Sequence, residues 1–218
     1  MFEKSVEELT ELGAQITTAE IAQQPELWRD TLNIYRENKE AIEAFLAEAR
    51  AMGEGRLSVV FTGAGTSDYV GDTCAPYLRH AGNTDLYDFK PIATTDIVSA
   101  PRDFLRAEDP TLVVSFARSG NSPESLAAVA VAKELVHNVK FLNITCAPEG
   151  KLAVESADDP NALTLLIPRA NDKGFAMTGS YSCMTLLSTL IFDTATDEQK
   201  AEWVETIAKM GEEDISGE

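Results

Sequence analysis

The chain has 218 residues, of which 44% are hydrophobic and 25% charged, and its formal net charge is −18. This composition is typical of a globular protein, and the length suffices for one sizeable domain with additions or for two small domains. A strongly negative charge argues against a nucleic-acid partner, because binding to a phosphate backbone needs a basic surface.

Several other classes of protein are also disfavoured by the composition. The longest apolar runs have the length of a strand and fall far short of the roughly 18 residues of a membrane helix, so no membrane partner is expected. The acidic N-terminus lacks the apolar core of a signal peptide. Three scattered cysteines (Cys74, Cys146 and Cys183) and two histidines (His80 and His137) suit neither a disulfide framework nor a metal site. We expect a cytoplasmic chain without a bound metal.

Residues 1–52 are predicted to form a helical arm. Ser5–Leu12 has the pattern of a short acidic helix. Thr17 and Glu20 have the spacing of a capping box, which predicts a second helix that starts at Thr17. From Glu26 to Met52 apolar residues recur at helical spacing. This apolar stripe suits packing on the rest of the chain and packing on a partner subunit equally well.

Residues 53–195 alternate between predicted strands and predicted helices, which indicates a parallel sheet covered on both faces. Five strands give an α/β fold, a three-layer α/β/α sandwich, whose simplest strand order is 2-1-3-4-5 with right-handed crossovers. The predicted strands are Leu57–Thr62, Leu86–Phe89, Leu112–Ser115, Val139–Ile144 and Leu163–Ile167. A predicted helix after the first strand ends near His80, and a short helical turn that opens at Thr94 is expected to close at Pro101. The other predicted helices are Ser122–His137, Gly150–Ser156 and Met177–Asp193.

The last segment, residues 196–218, is predicted to hold one more amphipathic helix over 197–211. The acidic residues 211–218 that follow are typical of the start of a linker. We therefore expect three units (1–52, 53–195 and 196–218) in a chain that is one part of a longer protein.

A glycine-rich turn follows the first predicted strand. Gly63-Ala-Gly-Thr-Ser-Asp68 begins like the dinucleotide fingerprint G-x-G-x-x-G, but Asp68 stands where the last glycine would allow close contact between helix and strand. No P-loop motif occurs in the sequence. What remains is a tight turn with the hydroxyls of Thr66 and Ser67 at a helix start, where they either cap the helix or bind an anion.

A second hydroxyl-rich turn follows the third predicted strand. In the stretch Ser115–Ser125, Ser122 is the predicted N-cap, Pro123 the first helical residue and Glu124 part of the first turn. A helix start presents unpaired N–H groups and a positive dipole end, so this turn is either only a capped helix or a phosphate site. Ligands of such sheets bind between strands 1 and 3, and the placement of both turns there favours a shared anion site.

Together the two turns resemble the sugar isomerase (SIS) phosphosugar-binding domain. Further blocks resemble the tagatose-6-phosphate ketose/aldose isomerase branch of that family, also described as galactosamine-6-phosphate deaminase/isomerase. Members of the branch carry two tandem SIS domains over nearly twice this length, and the resemblance implies a flavodoxin-like fold and an N-terminal SIS domain. The blocks are Glu20–Trp28, Phe61–Ser67, Ala93–Val98, Ser115–Ser125 and Gly174–Thr178.

The resemblance implies a set of ligand-binding residues. Ser67 matches the serine that contacts the sugar phosphate, and Ser119 and Ser122 match the hydroxyls of the second turn. Arg118 would either add a charge-assisted bond to the phosphate or form a surface ion pair. Thr178 lies in the block that lines the sugar end, although Gly179 departs from the Thr-Ser-Ser usual there. The implied binding residues are Gly65, Thr66, Ser67, Arg118, Ser119, Gly120, Asn121, Ser122 and Thr178.

The resemblance also implies an enzyme without a cofactor, namely a sugar-phosphate isomerase/deaminase that acts on a substrate such as galactosamine 6-phosphate. Isomerisation needs a base that moves a proton between C1 and C2, and in the family the glutamate assigned to this work lies in the second domain. Within this chain Glu124 is the carboxylate nearest the second turn, but the helix dipole also explains its position. Asp68, Asp72 and Asp96 are further candidates.

Two alternatives stay open. The chain is either such an enzyme domain or a non-catalytic module that senses a phosphosugar; a regulator of that kind would carry a DNA-binding helix-turn-helix, for which the acidic first 50 residues are poorly suited. A third possibility is a structural half that completes a site only on pairing with another subunit. The expected partners are thus a sugar phosphate and either a second copy of the chain or a second SIS domain.

Overall fold

The computed structural model describes residues 2–217. Five strands alternate with helices after a helical N-terminal part. The helices are α1 (Val6–Glu11), α2 (Gln15–Ala22), α3 (Gln24–Arg50), α4 (Asp68–Ala81), α5 (Thr94–Ser99), α6 (Pro101–Phe104), α7 (Pro123–Leu135), α8 (Lys151–Ser156), α9 (Gly179–Phe192) and α10 (Asp197–Ser216). The strands are β1 (Leu57–Gly63), β2 (Tyr87–Pro91), β3 (Thr111–Ala117), β4 (Val139–Thr145) and β5 (Ala162–Leu166).

The five strands form one parallel sheet in the order β2-β1-β3-β4-β5, which confirms the predicted fold class and strand order. Every residue of β1 and β3 is buried, as expected for central strands covered on both faces. Alternate residues of β1 serve different cores: Phe61 packs with α3, α4 and α9, whereas Val60 packs with α5 and α7. The sheet is therefore the middle layer of a three-layer sandwich.

The long helix α3 packs on the rest of the chain. Its residues Leu27, Tyr35 and Phe45 are buried in the same hydrophobic cluster as residues of β1 and α9. The apolar stripe of α3 was expected to pack either on the rest of the chain or on a partner subunit, and in the structure it packs on the rest of the chain.

The predicted capping box at Thr17 is wrong. Helix α2 already begins at Gln15, and its N-cap residue, Ala14, makes no side-chain capping bond. Thr17 lies inside the helix, and the Glu20 side chain accepts bonds from the distant residues Lys173 and Gly174. The spacing of Thr17 and Glu20 is misleading because the Glu20 carboxylate bonds to a distant segment and not to the start of its own helix.

Two other helix boundaries differ from the prediction. A short helix begins at Pro101, where only the end of a helical turn was expected; proline is well suited to the first helical position. Helix α10 continues through residues 211–216, where a linker was expected to begin. Its last turns pack on α3, since Gly211 lies against Trp28 and Arg29 pairs with Glu212. Across the described residues, no helix is both long and apolar enough to cross a membrane.

Candidate anion-binding site

The two hydroxyl-rich turns meet in a cleft of about 120 Å³ at the carboxyl ends of β1 and β3. Turns that follow neighbouring parallel strands lie at the same edge of the sheet, which explains why distant segments meet there. The lining residues are Ala64, Ser67, Phe116, Ala117, Arg118, Ser119, Gly120, Ser122, Ser125 and Met177.

The first turn places a buried hydroxyl at this cleft. A Cβ on Gly63 would lie 2.4 Å from the backbone carbon of Ser67, so the tight turn requires glycine there. Ser67 makes no side-chain capping bond to α4, and its Oγ lies 4.0 Å from the Met177 sulfur. Gly65 and Thr66 are exposed and do not line the cleft. Of the two roles predicted for this turn, Ser67 therefore does not cap the helix.

The second turn both caps helix α7 and lines the cleft. Ser122 caps α7 as predicted, since its Oγ accepts from the backbone N–H of Ser125 at 3.4 Å and lies 2.6 Å from the Ser125 Oγ. Gly120 has a positive φ of 66°, a conformation that side chains disfavour. Ser125 was not among the predicted site residues, although its place three residues after the N-cap is a usable signal.

Helix α8 holds the second turn in place. The Asn121 Oδ1 accepts from the backbone N–H of Lys151 at 3.0 Å, and the Gly120 carbonyl accepts from that of Leu152 at the same distance. A Cβ on Gly150 would lie 2.2 Å from the Ser119 carbonyl oxygen, so the turn approaches this residue closely. Asn121 thus anchors the turn through its side chain and does not line the cleft.

Backbone donors are available beside the cleft. In the part of the chain that the structure describes, the backbone N–H groups of Ser119, Gly120 and Ser122 have no hydrogen-bond acceptor. They surround the start of α7, where the helix dipole is positive. Hydroxyls, unpaired N–H groups and a positive dipole end are the features that bind a phosphate without a metal.

Beneath α7 the sheet presents polar side chains where a continuous apolar layer would be usual. Thr62, Ser115 and Asn143 are neighbours in register on β1, β3 and β4. Each is buried and carries an oxygen without a hydrogen-bond partner among residues 2–217. Because unpaired buried oxygens are costly, this polar row is an unusual feature of the sheet edge that faces the cleft.

Arg118 is half-buried and contacts a second segment of the site. Its Nη1 donates to the Gly174 carbonyl at 3.0 Å, and the residue also lines the cleft. Within residues 2–217 Arg118 forms no ion pair, so the surface ion pair considered for it is not found. Its bond to a phosphate stays a prediction.

Thr178 lies outside the cleft lining and is bound to Asp172, a residue that was not predicted. The Thr178 Oγ1 donates to the Asp172 Oδ1 at 2.9 Å. The Asp172 carboxylate, 6% exposed, also accepts from the backbone N–H groups of Thr178, Gly179 and Ser180 at 2.9–3.0 Å. An aspartate shortly before a predicted helix start is the signal that could have revealed this cap.

Comparison with known proteins identifies the family to which the chain belongs. The D-galactosamine-6-phosphate deaminase AgaS of Shewanella sp. is 43% identical over 189 residues, which cover 86% of this chain and 48% of the relative. The tagatose-6-phosphate ketose/aldose isomerase structure from Escherichia coli matches with a TM-score of 0.78 and 34% identity over 88% of this chain and 52% of that one. The predicted resemblance to the SIS family is confirmed.

A third comparison extends over nearly the whole chain. A solved Clostridium novyi protein, described as a candidate tagatose-6-phosphate ketose/aldose isomerase, matches with a TM-score of 0.89 and 42% identity, covering 98% of this chain and 53% of that one. The chain thus spans about half the length of the relatives that it matches. No family model matches it.

Among residues 2–217 no carboxylate forms part of the cleft lining. Glu124 is exposed in the first turn of α7, and across the described residues no Asp or Glu lines the cleft. Burial raises the pKa of Asp68, and the negative charges of Asp72 and Asp96 raise it further. Asp68 thus lies within electrostatic reach of two other carboxylates beside the first turn, but none of the three lines the cleft wall.

Proposed function

We propose that this chain binds a hexosamine 6-phosphate and serves as the phosphosugar-binding domain of an isomerase/deaminase that converts galactosamine 6-phosphate to tagatose 6-phosphate. The observation that carries the proposal is the convergence of both hydroxyl-rich turns on one cleft at the start of α7. The names of the relatives at 34–43% identity support the choice of sugar.

The phosphate would lie at the start of α7, with the sugar extending toward Thr178. Ser67, Ser119 and Ser122 supply hydroxyls, the second turn supplies N–H groups, and Arg118 supplies one positive charge. This local set has to outweigh a net charge of −18 that repels an anion. The complete proposed set is Gly65, Thr66, Ser67, Arg118, Ser119, Gly120, Asn121, Ser122 and Thr178, of which Gly65, Thr66, Asn121 and Thr178 flank the cleft without lining it.

The reaction consumes galactosamine 6-phosphate and water and yields tagatose 6-phosphate and ammonia. A base must move a proton between C1 and C2 before the nitrogen leaves. Because no carboxylate of the described residues lines the cleft, we propose that the base comes from a second SIS domain or from a second copy of the chain. Glu124 is the alternative within this chain.

Binding of sugar phosphates to the purified chain tests this proposal. We expect galactosamine 6-phosphate to stabilise the chain in thermal unfolding and unphosphorylated galactosamine to have no effect, because the phosphate supplies the anchoring charge. The double change Ser119→Ala and Ser122→Ala should abolish the stabilisation by ligand. The matched control is Ser99→Ala, which removes a hydroxyl at the end of α5 that, among residues 2–217, bonds only to the backbone carbonyl of Asp96. Absence of stabilisation by every hexose 6-phosphate would refute the site.

An assay of ammonia release separates the enzyme from the sensor. Release from galactosamine 6-phosphate by a protein that holds this chain together with a second SIS domain would support the enzyme. Binding with no release in that protein would favour the sensing module. The relatives, which are named as deaminases and isomerases, favour the enzyme.

We also propose a cytoplasmic homo-oligomer or tandem-domain protein. The described cysteines are all free, which suits a reducing compartment. The division into 1–52, 53–195 and 196–218 stays a proposal that limited proteolysis can test, with cleavage expected first between those units.

A further inference from the structure

Glu20 is a buried carboxylate that holds the segment between β5 and α9. It is 7% exposed, and its Oε1 accepts from the backbone N–H groups of Lys173 at 2.5 Å and of Gly174 at 2.9 Å. Two N–H bonds to one charged oxygen fix the orientation of this segment more firmly than neutral bonds would. Glu20 itself lies outside the cleft lining.

Gly174 fits this contact because it has no side chain. A Cβ on Gly174 would lie 2.7 Å from the Glu20 Oε2, which is too close for any other residue without a shift. The carbonyl of Gly174 accepts from the Arg118 Nη1 at 3.0 Å. Glu20 and Arg118 therefore bind the same residue, one through its N–H and the other through its carbonyl.

We propose that Glu20 is a positioning residue, which acts through Gly174 to hold the Arg118 guanidinium at the cleft for a phosphate. This rests on the proposed function. An arginine side chain has five N–H donors in a planar fork, so one bond to a carbonyl fixes the plane and leaves other donors for an anion. Glu20 thereby orients the arginine without placing a negative charge in the cleft wall.

A double-mutant cycle on the 218-residue chain tests the proposal. The measured quantity is the Kd for galactosamine 6-phosphate from calorimetry, in Arg118→Ala, Glu20→Ala and the double variant. Loss of one charge-assisted bond is expected to weaken binding about tenfold in Arg118→Ala. Glu20→Ala should weaken it severalfold, and the double variant should bind no more weakly than Arg118→Ala alone, because the two residues act as a unit.

Two more variants keep the test independent of folding. Glu20→Gln retains an oxygen that accepts both N–H bonds and should restore affinity, whereas Gly174→Ala should weaken binding as Glu20→Ala does. The matched control is Glu8→Ala, which removes a carboxylate that caps α1. If Glu20→Ala does not fold, Gly174→Ala replaces it in the cycle with Arg118→Ala.

The outcomes distinguish this proposal from the proposed function. Unchanged affinity in Glu20→Ala and Gly174→Ala, or losses that add to that of Arg118→Ala, would overturn the positioning role while leaving the phosphate site intact. A wild-type chain that binds no hexose 6-phosphate would overturn both. A purely structural Glu20 would lower the unfolding temperature without coupling to Arg118.

Discussion

Asp172 satisfies the start of α9 with a single side chain. Its two carboxylate oxygens accept from three backbone N–H groups and from the hydroxyls of Thr178 and Ser180. The first N–H groups of a helix have no partner within the helix, so an internal anion at this place is stabilising. The backbone N–H groups at the start of α9 are thereby paired, whereas those of Ser119, Gly120 and Ser122 beside the start of α7 have no acceptor among residues 2–217.

The change Asp172→Asn should destabilise the chain by about 2 kcal/mol or more. The charge is lost, and the new amide NH₂ faces backbone donors that it cannot pair with. Urea unfolding of the variant measures the loss. Asp103→Asn, at an exposed aspartate in the first turn of α6, serves as the control and should change the stability by less than about 0.5 kcal/mol. Equal stabilities of the two variants would contradict the capping role.

The roles of some single residues could be predicted from the neighbouring sequence, and the roles of others could not. Ser122 was predicted as an N-cap because the cap, Pro123 and Glu124 form one continuous signal. The role of Glu20 could not be predicted, because its partner Gly174 lies 154 residues away and only the fold brings them together. The same holds for Arg118, whose bond to Gly174 spans 56 residues.

At the scale of elements, helix α10 is attached to α3 by charged pairs at both of its ends. Lys39 bonds to Asp197 at the start of α10, and Arg29 pairs with Glu205 and Glu212 toward its other end. Between them Lys200 is buried, and its Nζ donates to the Tyr35 hydroxyl at 3.3 Å. These pairs explain why the helix continues to Ser216 in a stretch whose acidic composition indicated a linker.

The stability that Asp197 contributes should depend on pH. The bond from Lys39 holds the pKa of this carboxyl below its ordinary value of 3.8. Because the pKa is lower in the folded chain than in the unfolded chain, the stabilisation by Asp197 is complete above about pH 4. It is lost as the pH falls through the pKa of the folded chain. Because 39% of the side chain is exposed, the contribution is about 0.5 kcal/mol.

The variant Asp197→Asn checks this dependence. Wild type should be the more stable protein at pH 7, and the difference in unfolding free energy should shrink below about pH 3.8. The control Glu202→Gln changes an exposed carboxylate on the same helix and should show no such gap. If the difference in unfolding free energy between wild type and Asp197→Asn stays the same at acidic pH, the charge of Asp197 is not the source of the stabilisation.

The whole molecule is organised by one sheet, and this level was the most accessible to sequence reasoning. Buried strands that alternate with helices allow few arrangements, and the order 2-1-3-4-5 is the simplest of them. The cleft followed from the same reasoning, since both turns come after strands that flank the switch point. What escaped prediction were contacts between distant segments, such as those of α10 with α3.

The three thiols should be unreactive in the folded chain. Cys74, Cys146 and Cys183 are at most 1% exposed. Burial raises the pKa of Cys74 and Cys183 to about 11 and that of Cys146 still further. Thiolates react far faster than thiols, so Ellman's reagent at pH 8 should label almost none in the native state and all three in urea.

A positive control for this assay is Ala130→Cys, which places a thiol on the exposed side of α7 and should react at once. Rapid labelling of a native cysteine would mean that the cluster around it opens readily. Since Cys74 and Cys183 lie in the cluster beneath α3, such labelling would indicate local detachment of that helix.

The end of α10 lies beside the start of α3, where Gly211 approaches Pro25 and Trp28. Trp28 in turn donates to Ser182 near the start of α9, which is at the same edge of the sheet as the cleft. The last turns of α10 are thus linked to the start of α9 through one side chain, that of Trp28. The C-terminal helix therefore supports, through a single indole ring, the same edge of the sheet at which the cleft opens.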